Sequence, residues 1–406
     1  MNLLFAWRYF KSKKTTNAVN IIAWISVTAI AVGAGALIVV LSVFNGFEDL
    51  VKSLYGDFYA DVRIAPVTGK TMNLDTVQLN RIKQTKGVLQ TSLVAEEKAL
   101  LSNGDNNQTI VFVKGVDENY TSVNNLTKHI IRGSFDAGKS DAPKLIIGAG
   151  IENATGIDPI RPGIPATIYL PNKKAENLNS VNEAFNSYRL NASGTFLVQQ
   201  EFDNKYVFTN LGFMKFMLDM GNDEYSSVEL RIDSSETENT ANQLQSLLGS
   251  KYKVETRYQQ NKSLYTVMKM EKWVIYGILS LILVVAAFNM IGALTMLVLE
   301  KQKDIAVLKA MGASNSTIRN IFLNEGFLLA GIGGLAGILL ASLICWLQLK
   351  FHLIKLQGGS FIIDYYPVKM NLFDFALVTG TILFVALLAS WIPARKASTQ
   401  EFSLKS

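Results

Sequence analysis

The chain has 406 residues, 49% of them hydrophobic and only 18% charged, with a mean hydropathy of +0.21 and a formal net charge of +6. This balance excludes an ordinary run of soluble domains, because the apolar residues gather into four uncharged stretches, 21–44, 273–299, 327–349 and 375–394. One cysteine, Cys345, and two isolated histidines, His129 and His352, exclude a disulfide framework and a zinc motif.

In chain order, residues 1–20 interleave Phe5, Trp7, Tyr9 and Phe10 with Arg8, Lys11, Lys13 and Lys14. This predicts a cytoplasmic amphipathic segment lying on a membrane surface. Crossing a bilayer core takes about 20 apolar residues as a helix, so 21–44 predicts a first transmembrane helix. The run is too long for a signal peptide, and its ending, Val43-Phe44-Asn45-Gly46, lacks a small-x-small cleavage pattern. Ala29 with Gly33, and Ala31 with Gly35, have the small-x-x-x-small spacing that lets helices approach closely in lipid.

Residues 46–272 carry 25 basic and 27 acidic side chains and are long enough for a core of their own. β-Branched and aromatic runs predict strands at 60–65, 109–114, 144–147, 166–170, 193–198, 206–209 and 227–232. Apolar spacing predicts helices at 74–85 and 236–248, with Ala241, Leu244, Leu247 and Leu248 on one face, and another at 258–271 leading into the next span. Residues 45–272 are therefore expected to form an α+β domain. The polar stretch 171–189 predicts a projecting loop or hairpin. Residues 133–140, Gly-Ser-Phe-Asp-Ala-Gly-Lys-Ser, match a phosphate-binding loop letter for letter. That loop needs a helix directly after it, whereas Pro143 and an apolar strand follow, so a plain turn is expected.

The second span is 273–299, with Asn289 as a polar side chain expected to point at a helix or a cavity. Within 300–320, helix formers at 303–311 precede Gly312-Ala313-Ser314, a stop followed by a new N-cap. The third span lies within 321–349, with Gly333 and Gly337 at close-packing spacing, and 350–374 is a loop. The fourth is 375–394, followed by a tail at 395–406. Eleven basic residues lie before the first span, between the second and third, and after the fourth, against Glu300, Asp304, Glu325 and Glu401. Short cytoplasmic loops collect Lys and Arg, so both termini and 300–320 are expected in the cytosol and 45–272 and 350–374 outside. The positive charge thus marks orientation and not a nucleic-acid surface. Trp24, Trp273, Tyr276, Trp346 and Trp391 sit toward the span ends as interfacial anchors. The expected fold is an α-helical membrane protein with four transmembrane helices plus a large α+β extracytoplasmic domain between helices 1 and 2.

Three blocks carry a resemblance: Ile25–Thr28 through Val40-Leu41-Ser42-Val43-Phe44-Asn45-Gly46-Phe47-Glu48; Glu300 through Ser314; and Trp391-Ile392-Pro393-Ala394-Arg395-Lys396-Ala397. With the topology, they resemble the permease subunits of the lipoprotein-releasing ABC system (the LolC/LolE type), within the FtsX/MacB superfamily of type VII ABC permeases. Phe202-Asp203-Asn204 is similar to that family's outer domain. The resemblance implies a bacterial inner-membrane permease that extracts lipoproteins and passes them to a periplasmic carrier. It implies two copies of a cytosolic ABC ATPase and a second permease subunit, identical or not. The chain itself would hold no catalytic residue and no cofactor, with ATP and Mg used by the ATPase. Asp304, Leu308, Lys309, Met311 and Gly312 would form the ATPase-coupling helix. Val39, Val40, Val43, Phe44, Met268, Val274 and Leu279 would line an acyl-chain cavity between the outer halves of the first two spans. Pro171, Asn172 and Tyr188 would belong to a carrier-binding hook. The alternatives are a MacB-like mechanotransmission exporter subunit and an FtsX-like, non-transporting regulator of cell-wall hydrolases.

Overall fold

The computed structural model describes residues 17–104, 107–161, 165–172, 184–356 and 363–399, without the side chains of 17–20. The amphipathic reading of 1–20, most of the hook and the end of the tail lie largely outside the described residues. Two compact units emerge. A helical unit comprises Met1–Leu50, Thr266–Leu356 and Tyr365–Ser406, and a sheet unit comprises Val51–Tyr265 and Gln357–Asp364.

Helices of seven or more residues and all strands are numbered in chain order. Helix α1 (Asn17–Phe58) is followed by β1 (Val62–Pro66), β2 (Met72–Asn73), α2 (Thr76–Gln84), β3 (Val88–Ser102) and β4 (Gln108–Val116). Next come β5 (Ile130–Gly133), β6 (Lys144–Gly148), α3 (Ala149–Thr155), β7 (Ala166–Pro171), β8 (Phe185–Phe196), β9 (Tyr206–Asn210) and α4 (Leu211–Met217). The sheet unit closes with β10 (Glu224–Tyr225), β11 (Ser227–Ile232), α5 (Thr237–Leu248) and β12 (Tyr252–Thr256). Helices α6 (Lys262–Glu300), α7 (Gln302–Ala310), α8 (Asn315–Phe351) and α9 (Leu372–Thr399) complete the chain.

Among the described residues, four helices are long and apolar enough to cross a membrane: α1 from Ile21 to Phe58, α6, α8 and α9. Each contains one uncharged stretch and outruns it. Hydropathy marks where lipid is tolerated, whereas a helix continues as long as its backbone hydrogen bonds and side-chain contacts are favourable. A shared core joins Val27, Ile30 and Leu37 of α1, Leu283 and Met290 of α6, Phe322 and Leu329 of α8, and Val378 and Ile382 of α9. The small residues act where the spacing predicts. A Cβ on Gly333 would lie 2.6 Å from the Val27 carbonyl oxygen, and one on Gly337 would collide with the Ala31 carbonyl, so α1 and α8 touch almost backbone to backbone. Gly33 instead admits Leu283 of α6.

The sheet unit has the strand order β12-β1-β11-β3-β4-β9-β6-β8-β5, and β7 pairs with both β3 and β8. Strands β3, β4, β9, β6, β8 and β7 thereby close into a ring. They share one buried cluster that includes Leu101, Val113, Ile147, Ile168, Leu190 and Val207, joined by Phe213 and Met214 of α4. A second cluster lies where α2 and α5 cover β12-β1-β11, through Ile82 and Leu244 against Ile64, Leu230 and Val254.

The predicted strands are present with small shifts, but the sequence reading missed β3, β5 and β12 and the short pair β2 and β10, and placed the start of β8 at 193 instead of Phe185. Strand β3 is the longest and pairs with β11, β4 and β7. Its Glu96-Glu97-Lys98 centre breaks the alternation that marks a strand, because ladder partners on both sides override a charged local signal. Leu247 is exposed, so the apolar face of α5 is carried by Ala241 and Leu244, with Leu248 packed partly buried beside them. Residues 133–140 form a turn: Gly138 bridges to Pro143, Lys144 pairs with Asp136, and β6 follows.

Candidate functional site

Helix α7 is short, and its end is built by the local chemistry of Gly312. Gly312 has φ +89°, a conformation that costs glycine little. Its N–H donates to the Lys309 carbonyl, and the N–H of Ala313 donates to the Leu308 carbonyl, both at 3.0 Å. This is a Schellman stop. Ser314 then caps α8, accepting the N–H of Thr317 at 3.3 Å. Ile305 and Ala306 face inward and hold α7 to the core. Asp304 is exposed, and Met311, 79% exposed, projects from the stop. Leu308 is half-buried, and Lys309 Nζ donates to the Ser398 carbonyl at the end of α9 at 3.1 Å. Of the five coupling candidates, Asp304 and Met311 therefore present their side chains outward, Gly312 shapes the stop, and Leu308 and Lys309 lean toward the helical unit.

The seven cavity candidates are scattered. Val39, Val40, Val43 and Phe44 of α1 are half-buried, Val39 and Leu279 pack against the shared core, and Val274 of α6 is exposed. Met268, near the start of α6, is half-buried. An open groove of about 730 Å³ runs between other parts of the same two helices, lined by Trp24, Ile25, Thr28, Ile282, Val285 and Asn289 among others. None of the seven candidates lines it, and Asn289 does.

Pro171 ends β7, where it pairs with Phe185 of β8, and the Asn172 N–H donates to the Ala184 carbonyl at 2.8 Å. Tyr188 lies on β8 with its ring edge-on to Phe213 at 5.1 Å. The three hook candidates thus sit on or beside a β7–β8 hairpin whose far end, 173–183, is outside the described residues.

Two constellations escaped the sequence reading. In the helical unit, Asn45 Nδ2 donates to Asp374 Oδ2 at 2.5 Å, and Lys272 Nζ donates to Asn45 Oδ1 at 2.8 Å and pairs with Asp374 Oδ1 at 3.0 Å. Asp374 is 1% exposed. A carboxylate so buried is stable only with partners such as these. The only signal in the sequence was a charged residue next to each of two apolar stretches, which any helix end shows.

In the sheet unit, Phe58 at the end of α1 stacks face to face on Phe202, 4.1 Å between centroids and 9° between planes. Asp203 accepts the Val198 N–H at 2.9 Å, and its backbone abuts Gly148, where any Cβ would collide with it. Phe202-Asp203-Asn204 is thus the seat that holds the end of α1 to the β-ring. Burial pushes the Asp203 carboxyl up to about 6, against the backbone amides and the charge of His129 that favour its ionised form. Nearby, Lys114 lies beneath Phe58 and Tyr206 and pairs with Glu229 at 2.8 Å. Burial opposes its charge, but Glu229 and Glu96 outweigh burial and hold it protonated. Among the described residues, no group of His, Cys, Asp and Glu is arranged to hold a metal.

Residues 23–247 match the MacB-like periplasmic core domain family, and residues 276–402 match the FtsX-like permease C-terminal family. The chain is 28% identical to the lipoprotein-releasing system transmembrane protein LolC of Neisseria meningitidis serogroup B, over 97% of each chain. It is 27% identical to the lipoprotein-releasing system transmembrane protein LolE of Haemophilus influenzae, over 97% of this chain and 96% of that one. The periplasmic region of MacB from Actinobacillus actinomycetemcomitans aligns with 53% of this chain and 98% of its own, at 13% identity and a TM-score of 0.36.

Proposed function

The chain belongs to the FtsX/MacB-like family of type VII ABC permeases, of the LolC/LolE type, and from that premise we propose that it is the membrane subunit of an ATP-driven complex that extracts lipoproteins from the bacterial inner membrane. The observation that carries the reading is similarity along almost the whole chain to proteins described as lipoprotein-releasing. In this reading both termini and α7 face the cytosol, as the eleven basic residues favour. The sheet unit and the segment between α8 and α9 face the periplasm.

ATP and Mg are used by a separate ABC ATPase present in two copies, and a second permease, identical or not, completes the complex. Helix α7 gives the ATPase a compact knob: a helix fixed at its base by Ile305 and Ala306, ending in an exposed Met311. An exposed large apolar side chain at a rigid turn suits a partner's groove. Closure of the ATPases pushes on α7, and the spans carry the movement to the sheet unit. An acyl chain leaves lipid for an apolar groove because each buried CH₂ is worth about 0.8 kcal/mol. The groove between α1 and α6 offers such a surface, with Asn289 at its wall. The β7–β8 hairpin is the contact for a periplasmic carrier.

Depletion of the protein tests the function. Outer-membrane lipoproteins stranded in the inner membrane are the expected outcome. Chained cells with normal lipoprotein sorting would refute it in favour of a cell-wall regulator. Asp304→Lys together with Met311→Ala is expected to lose the ATPase in co-purification, and retention of full coupling would remove α7 from the contact.

A further inference from the structure

We propose that residues 365–371 form a fixed clamp that joins α1, α6, α8 and α9 at the end of the helical unit away from α7, with Asn45 and Asp374 as its positioning residues. This rests on the reading of the chain as a permease that transmits force, and it adds how the force reaches α1.

Helix α7 lies in the chain between α6 and α8, so a push on it reaches those two helices directly. Helix α1, which leads into the sheet unit, has no such link. Along most of its length it meets its neighbours through small and apolar residues, at Gly33, Gly35, Gly333 and Gly337. Such contacts allow close approach and carry no directional bond.

At one end the contacts change in kind. The Lys369 N–H donates to the Ser42 carbonyl at 2.9 Å, and Asn45 Nδ2 donates to the Lys369 carbonyl at 3.3 Å. Lys369 Nζ pairs with Asp49 at 2.8 Å, and Tyr366 meets the Phe47 ring edge-on at 5.7 Å. Between them, Gly46 lies so close to Pro367 that any Cβ would collide with the proline carbonyl. The glycine is needed for that approach alone, since its φ is not positive. Lys272 brings α6 into the joint and Asp374 brings α9, through the bonds they share with Asn45. Gln348 brings α8, donating to the carbonyls of Ile354 at 3.0 Å and Tyr366 at 3.2 Å and accepting the Ile354 N–H at 2.9 Å.

All four long helices thus meet in one hydrogen-bonded joint around a buried carboxylate. Opening it would leave Asp374 without Asn45 and Lys272 in a poorly hydrated place, which strongly disfavours the open form. The joint therefore stays shut while the helices move, and α1 follows the other three.

The test uses the full complex with its ATPase, reconstituted in vesicles carrying a lipoprotein, with ATP hydrolysis and lipoprotein release read separately. Gly46→Ala, whose Cβ would push Pro367 away, and Asn45→Ala, which removes one buried hydrogen-bond partner, are expected to assemble and to hydrolyse ATP at close to the normal rate, while release falls about tenfold. In an otherwise unaltered chain, Asp49→Cys with Lys369→Cys, joined by a short bismaleimide, is expected to keep normal release. Normal release by Gly46→Ala would overturn the clamp. So would release abolished by the cross-link, because the segment would then have to open. If the alanine variants fail to assemble, the cross-link alone decides between these outcomes. Absence of release from the unaltered complex would refute the permease reading and is distinct from either result.

Discussion

Lys114 offers the sharpest test of the energetics of the sheet unit. Its side chain is 4% exposed, and its ammonium lies 2.8 Å from Glu229, itself 3% exposed, and 3.8 Å from Glu96. Among the described residues Glu229 Oε2 has no hydrogen-bond partner, so Lys114 supplies what holds this carboxylate in place. Lys114→Met keeps much of the side-chain volume and strands the charge. Removing one partner of a buried pair costs about 3–5 kcal/mol, whereas replacing both by apolar residues is often neutral. The lost contact with the Phe58 and Tyr206 rings, at 5.7 and 5.8 Å, adds about 0.5–1 kcal/mol. The double variant Lys114→Met with Glu229→Leu should therefore recover most of the loss, down to about 2 kcal/mol or less. Pulse proteolysis of the full chain in detergent across a urea series reads this directly, by following cleavage within the sheet unit. A single variant that costs under about 1 kcal/mol, or a double variant no better than the single, would refute the reasoning.

Three further outcomes follow from the geometry. The Asp203 carboxyl, raised by burial to about 6, holds a proton in the folded chain that the unfolded chain has lost above about pH 4. Stability should therefore fall by roughly 2–3 kcal/mol as pH rises from 4 to 6, and Asp203→Asn should flatten that slope in urea midpoints measured at both ends. Gly337→Leu should lower the thermal stability of the detergent-solubilised protein by about 1–3 kcal/mol, since its Cβ would meet α1, whereas Gly380→Leu, with open space around it, should be tolerated. Equal effects from the two would remove close packing as the cause. Asp75→Ala breaks the capping box at the start of α2, in which Asp75 accepts the Gln78 N–H at 2.7 Å, and should cost about 1 kcal/mol in the same urea assay.

The candidate site was only partly legible. The helix stop at Gly312 and the cap at Ser314 were visible because both depend on a few adjacent residues. The outward face of Asp304 and Met311 was not, because it depends on which side of α7 the core takes. Asn45-Gly46 stood out only as part of a resemblance. Its partner Asp374 is 329 residues away, and neither residue type signals the other. Strand β3 was hidden for a related reason: its charged centre reads as a surface loop until the strands that flank it are known.

The sequence by itself determined four long apolar helices, their close-packing glycines, the caps around α7 and the α+β character of residues 45–272. These rest on hydropathy, helical spacing and backbone preference, which act over a few turns. Only the tertiary structure decided that six strands close into a ring through β7, that Phe202 seats the end of α1, and that Lys272 and Asp374 meet at Asn45. Each of these is a pairing between distant parts of the chain, and its free energy exists only once folding has brought both partners out of water together.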